Sequence, residues 1–295
     1  MDYNVYEQDG KVIITGLKHF EPRDIFECGQ AFRWNVECDE SYTVVAFGKV
    51  LNVKKEDEKI ILSNTNMEDF KNIWHDYFDL DTNYGEIIET LKSDEVLEKA
   101  TEFGKGIRIL NQDEWEILVS FITSANNRIP MIKKAIGLLS EKYGEFIEEY
   151  KGIKYYSFPK PEALNGLRVE DLEDCKTGFR AKYIISAAEI VANKEIDIYT
   201  LKNIDTEMAR KELMRFSGIG PKVSDCIMLF SMGKKDAFPI DIWVKRVMEH
   251  FYLDEDTKLT DIQIYAGEKF GDLAGFAQQY LFYYARELGI GKKKK

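Results

Sequence analysis

The chain lacks three things: an excess of positive charge, closely spaced cysteines, and any apolar run long enough to span a membrane. Its formal net charge of −11 argues against indiscriminate nucleic-acid binding, because a polyanion is attracted by positive surface. The four cysteines, Cys28, Cys38, Cys175 and Cys226, lie far apart with no CxxC pair. That spacing suggests neither a zinc site nor a disulfide framework, and it fits reduced thiols in a cytosol. Met1 is followed by acidic and polar residues rather than by a signal-like apolar segment. An intracellular protein is expected, cytoplasmic in a bacterial or archaeal cell, with no membrane partner.

What the chain does have is core material: 44% apolar and 13% aromatic residues in 295. From Lys11 to about Asn64 the pattern reads as strands, with Val12-Ile13-Ile14, the run from Tyr42 to Val53, and Ile60-Ile61-Leu62 separated by polar turns. Asn66 can then cap a helix carrying Phe70, Ile73, Trp74 and Tyr77 at i, i+3, i+4, i+7 spacing. Helical patterns recur from there to the C-terminus. The expected class is α+β: an N-terminal antiparallel sheet region, residues 1–105, followed by a mainly helical region, residues 106–295. Basic residues pair locally at Lys133-Lys134, Arg180 and Lys182, Lys234-Lys235 and Lys245-Arg246, so one basic face on an acidic protein is expected. The terminal Lys292–Lys295 run is assigned no role.

The most informative stretch runs from Leu213 to Cys226. One helix must end and another begin almost at once, since Gly218 and Gly220 permit crowded backbone and Pro221 suits a first helical turn. This is a helix-hairpin-helix, spanning roughly residues 205–232. Free N–H groups at the second helix start, together with the dipole, can hold a DNA phosphate without side-chain charge. Lys222 falls in that first turn, where the dipole disfavours positive charge and so favours the neutral, nucleophilic amine. Further on, Asp241 follows Pro239-Ile240 and can cap the next helix, and a helix out and a loop back could return it towards Lys222.

Gly218-Ile219-Gly220-Pro221-Lys222 and Phe238-Pro239-Ile240-Asp241 together resemble the signature of the helix-hairpin-helix DNA glycosylases. The hairpin lysine resembles that of the bifunctional branch, and the endonuclease III-like members with a C-terminal four-cysteine iron–sulfur cluster are excluded because the last cysteine is Cys226. Cys28-Gly29-Gln30-Ala31-Phe32-Arg33-Trp34 is similar to the N-terminal segment of the 8-oxoguanine DNA glycosylases, where the glycine carbonyl accepts the lesion's N7–H. Guanine has a bare acceptor at N7, so a carbonyl at Gly29 would attract the lesion and repel the normal base. Gly275 to Phe282 resembles the helix that reads the flipped base. Gln278 and Phe282, four apart, put an amide beside a ring on one face, and Cys226 matches the residue covering the opposite face of the base. The 275–289 helix is therefore expected to return to the lesion pocket.

The same resemblance gives Asn126, in Phe121 to Arg128, the part of filling the gap left by the extruded nucleotide. It gives Phe179 and Arg180 contacts to the orphan base, and Gly218 and Gly220 the phosphate contact. Met131 stands where animal members carry a second arginine near that base, which implies weaker opposite-base selectivity. Trp243 replaces a histidine that contacts phosphate. The implied activity is excision of 8-oxoguanine from double-stranded DNA through a Lys222 Schiff base, with β-elimination on the 3′ side and Asp241 stabilising charge on the sugar. No cofactor or side-chain metal site is required, a monovalent cation on the hairpin backbone is compatible, and a monomer is expected. The competing readings are an alkylated-base glycosylase, against which Lys222 counts, and a non-catalytic hairpin module, for which Lys222 and Asp241 need not converge.

Overall fold

A computed structural model describes residues 3–290 of the chain. Strands β1 (Asn4–Gln8), β2 (Lys11–Thr15), β3 (Trp34–Val36), β4 (Tyr42–Ala46), β5 (Lys49–Glu56) and β6 (Lys59–Ser63) form one antiparallel sheet in the order β1-β2-β6-β5-β4-β3. Alternation sets its register. Val12 pairs with Leu62 and Ile14 with Ile60, so that all four side chains enter one core together with Phe20, Phe26, Trp74, Tyr77 and Phe78. Asn66 caps the following helical segment as expected, its Oδ1 accepting the N–H of Asp69 at 2.8 Å.

One element departs from the expected run of helices. Residues Phe146–Tyr150 (β7) and Ile153–Tyr156 (β8) form a two-stranded hairpin. Its turn residues Lys151 and Gly152 both have positive φ, 50° and 77°, which suits a tight hairpin turn. Tyr155 and Ile147 from this hairpin pack on Val45 and Val50. Strand β4 is therefore covered on both faces, and all five of its residues are buried.

The larger core is helical. It draws on α1 (Pro22–Glu27) only through the following Cys28, then on α2 (Tyr84–Leu91), α3 (Glu95–Phe103), α4 (Glu114–Ser124), α5 (Ile129–Tyr143), α6 (Ala181–Ala192), α7 (Thr206–Leu213), α8 (Pro221–Ser231), α9 (Ile242–Phe251), α10 (Leu259–Phe270) and α11 (Ala274–Leu288). Helices α4 and α8 pack together and are buried almost all round, as an apolar helix must be. Helix α11 lies against α3 and α9.

The two cores are joined by buried polar groups. Gln30, fully buried, donates to the carbonyls of Ile25 and Arg108 at 2.8 and 2.7 Å and accepts from Leu110 N–H at 2.9 Å. The Arg108 guanidinium, also buried, donates to the carbonyls of His19 and Asp79 at 3.0 and 2.8 Å. These bonds fix the backbone beside Gly29 against the helical core, and each would be destabilising to leave unmade.

Candidate active site

The hairpin forms where expected, from α7 through a turn into α8. Gly218 has φ +86°, and a Cβ there would lie 2.8 Å from the Tyr183 ring, so any other residue is both strained and crowded. Gly220 is the N-cap of α8 with Pro221 after it, and no side chain caps this end. The hairpin is braced inside by Arg210, whose Nε donates to Asp225 Oδ1 at 2.8 Å. Asp225 is 2% exposed, and burial pushes its carboxyl up to about 6 against the pull of Arg210.

Lys222 is half-buried, with its ammonium 5.2 Å from the centroid of the Phe121 ring. Asp241 caps α9, its Oδ1 accepting from the N–H groups of Trp243 and Val244 at 2.9 and 2.8 Å. The two side chains line the same two hollows. The wider, about 490 Å³, also takes in Gly29, Phe32, Asn126, Arg128, Ile242 and Phe282. The smaller, about 40 Å³, lies between Gly29, Cys226, Gln278 and Phe282. Burial pushes the Cys226 thiol up to about 11, with the Lys222 charge opposing that shift and the Asp241 charge adding to it.

Gln278 is 4% exposed and its Oε1 has no hydrogen-bond partner. A buried acceptor without a donor is destabilising, and such groups recur where a ligand completes the bond. Gly29 has φ +88°, and a Cβ there would stand 3.2 Å from Phe282 Cε1. Gln279, whose role has no signal in the sequence, donates from Nε2 to the Cys28 carbonyl at 3.1 Å and ties the Gly29 turn to α11.

Asn126, two residues past the end of α4, has left-handed backbone, φ 50°, and faces solvent at the rim of the wider hollow. Phe179 is 56% exposed. Arg180 is not: it is 8% exposed, with Nε and Nη2 donating to the Ala125 carbonyl and Nη2 to that of Asn126 at 3.0 Å. Here its guanidinium shapes the Asn126 turn, and neither it nor Phe179 lines the hollows shared by Lys222 and Asp241. Met131 is 44% exposed. Among the described residues no group of three or more His, Cys, Asp or Glu could hold a metal ion, and no helix is long and apolar enough to cross a membrane.

Two concavities larger than these exist, of about 600 Å³ around Arg108 and about 630 Å³ between Trp34 and Lys133. Neither brings an amine at a helix start together with a carboxylate, a buried unpaired amide and a stacking ring. That constellation, on a helix-hairpin-helix, defines a base-excision DNA repair fold. Residues 119–292 match the HhH-GPD superfamily of base excision DNA repair proteins, and the chain belongs to that family. Residues 12–118 match the N-terminal domain of 8-oxoguanine DNA glycosylase, which specifies the branch.

The 8-oxoguanine glycosylase/lyase of Clostridium acetobutylicum, in complex with double-stranded DNA containing cytosine opposite 8-oxoguanine, superposes with a TM-score of 0.95 at 49% identity. That match covers 98% of this chain and all of the other. The N-glycosylase/DNA lyase of Saccharomyces cerevisiae is 28% identical over 90% of this chain and 83% of its own length. A probable N-glycosylase/DNA lyase of Methanothermobacter thermautotrophicus is 31% identical over 68% of this chain and 70% of its own.

Proposed function

We propose that the chain excises 8-oxoguanine from duplex DNA and then cleaves the strand on the 3′ side, with Lys222 as nucleophile. The observation that carries this reading is the shared hollow of Lys222 and Asp241, backed by Gly29, Cys226, Gln278 and Phe282.

The target nucleotide is turned out of the helix, Asn126 filling the space it leaves, with Phe179 beside the orphan base and Arg180 holding the Asn126 turn. The Lys222 amine attacks C1′, and the N-glycosidic bond breaks with its electron pair leaving on the base. Positive charge that develops on the sugar is stabilised by the Asp241 carboxylate. One proton of the amine nitrogen goes to the departing base and the other to O4′ as the sugar ring opens, giving a Schiff base between Lys222 and C1′. That imine acidifies the C2′–H, and its removal expels the 3′ phosphate by β-elimination.

Recognition follows from the same walls. The Gly29 carbonyl suits the N7–H that 8-oxoguanine has and guanine lacks, and the unpaired Gln278 Oε1 suits the N–H donors of the Watson–Crick edge. A hollow of about 40 Å³ has room for little more than one water, so its walls part to admit a base. The uncapped start of α8 after Gly218 and Gly220 offers its N–H groups to a phosphate. A monovalent cation held on the carbonyls of the hairpin turn would add positive charge facing the phosphate. No step above depends on it.

The test is borohydride trapping on a duplex bearing one 8-oxoguanine, beside the undamaged duplex and the Lys222→Gln variant. A covalent adduct only with wild type and lesion is expected. No adduct, from a folded protein that still binds DNA, overturns the reading in favour of another damaged base or a binding module.

A further inference from the structure

Arg286 lies one helical turn after Phe282 on α11, and its guanidinium lies near both Phe282 and the Gly29 turn. Its Cζ is 5.2 Å from the centroid of the Phe282 ring and 5.6 Å from that of Tyr283. Its Nη2 donates to the Glu27 carbonyl at 2.6 Å, two residues before Gly29 and at the other end of the chain. Its Nη1 stands 3.3 Å from where a Gly29 Cβ would be. That nitrogen is buried and has no hydrogen-bond partner.

The Glu27 hydrogen bond ties α11 to the chain before Gly29, but that tie alone requires neither the contact with the Phe282 ring nor the second nitrogen beside Gly29. The ion pair of Arg286 with Glu287 joins neighbouring residues, with Glu287 exposed, so it ties together nothing distant. The unpaired buried Nη1 is destabilising, and a methionine or lysine would avoid it. What the guanidinium fork does, and a point charge does not, is approach the Phe282 ring while hydrogen-bonding the backbone that leads to Gly29.

We propose that Arg286 is a positioning residue for damage discrimination, holding the Phe282 ring at a set distance from the Gly29 turn. The proposal rests on the substrate reading above. The carbonyl at Gly29 can tell N7–H from N7 only if the stacked base is held in one plane relative to it, and Phe282 sets that plane. Arg286 lines neither hollow and touches no reacting atom.

The reaction supplies its own control, because a preformed abasic site has no base to read but still needs Lys222. The experiment compares wild type, Arg286→Met and Arg286→Lys in three measurements. These are single-turnover excision of 8-oxoguanine, cleavage of an abasic-site duplex, and the ratio of affinities for lesion and undamaged duplex. Expected for Arg286→Met is at least a ten-fold fall in excision and in the affinity ratio, with abasic cleavage within two-fold of wild type. Arg286→Lys should recover little of either. Parallel loss of both activities, or excision unchanged, overturns the proposal while wild-type excision leaves the substrate reading standing. Wild type that cleaves abasic sites but does not excise 8-oxoguanine overturns the substrate reading and this proposal with it.

Discussion

One lysine lies in the first turn of α8 and another just past its end, and their surroundings separate a reactive amine from a structural one. Both lie over a phenylalanine ring, Lys222 at 5.2 Å from the centroid of Phe121 and Lys235 at 5.5 Å from that of Phe276. Lys235 Nζ is buried, 3.5 Å from Asp79 Oδ2, and burial pushes its pKa down while Asp79 opposes the shift. Asp79 also accepts from Tyr84 and Thr82 hydroxyls at 2.8 Å, and the Lys235 carbonyl accepts the Gly275 N–H at 2.7 Å. Lys235 thus ties the end of the sheet region to the loop that leads to Asp241 and to the start of α11. Lys222 instead opens onto a hollow it shares with a carboxylate already occupied in capping. An amine with a fixed partner and no access braces a fold; one with access and a nearby charge can do chemistry.

The contrast can be broken by substitution. Lys222→Gln should lower strand cleavage at 8-oxoguanine by about 10⁴-fold or more while leaving the melting temperature and DNA affinity near wild type. Lys235→Ala should do the reverse. Removing one member of a buried pair is expected to lower stability by about 3 kcal/mol in denaturant unfolding, with little change in turnover of the folded protein.

The carboxylate beside Lys222 sharpens it. Asp241→Asn keeps a good N-cap for α9 but removes the charge, so excision should fall by about 10²–10³-fold with a melting temperature close to wild type. A large loss of melting temperature would mean that Asp241 serves mainly as a cap. The smallest expected effect lies at the hairpin that presents Lys222. Gly218→Ala must adopt φ +86° and meet Tyr183, and should lower stability by about 1–3 kcal/mol and weaken binding of undamaged and damaged duplex alike.

Much of this was legible along the chain. The change from two-residue alternation to helical spacing near Asn66 marks where the sheet ends, because each period follows from local backbone geometry. Gly218, Gly220 and Pro221 announce the hairpin through conformations that few other residues adopt. Other features left weaker signals. The β7–β8 hairpin hides in Phe146 to Tyr156, where the Lys151-Gly152 turn was the available clue. Arg180 was expected at the orphan base, and nothing nearby in sequence reveals that the Ala125 and Asn126 carbonyls would take up its guanidinium.

The sequence by itself determined the α+β class, the hairpin, and the residue types from which a lysine–aspartate site can be built, since propensity, capping and turn chemistry act over a few residues. Only the tertiary structure decided which groups meet. Arg286 on Glu27, Gln279 on Cys28 and Lys235 on Asp79 join segments far apart in the chain. Such pairs leave no periodic trace, because their partners are selected by how the helices pack around the sheet rather than by neighbours along the backbone.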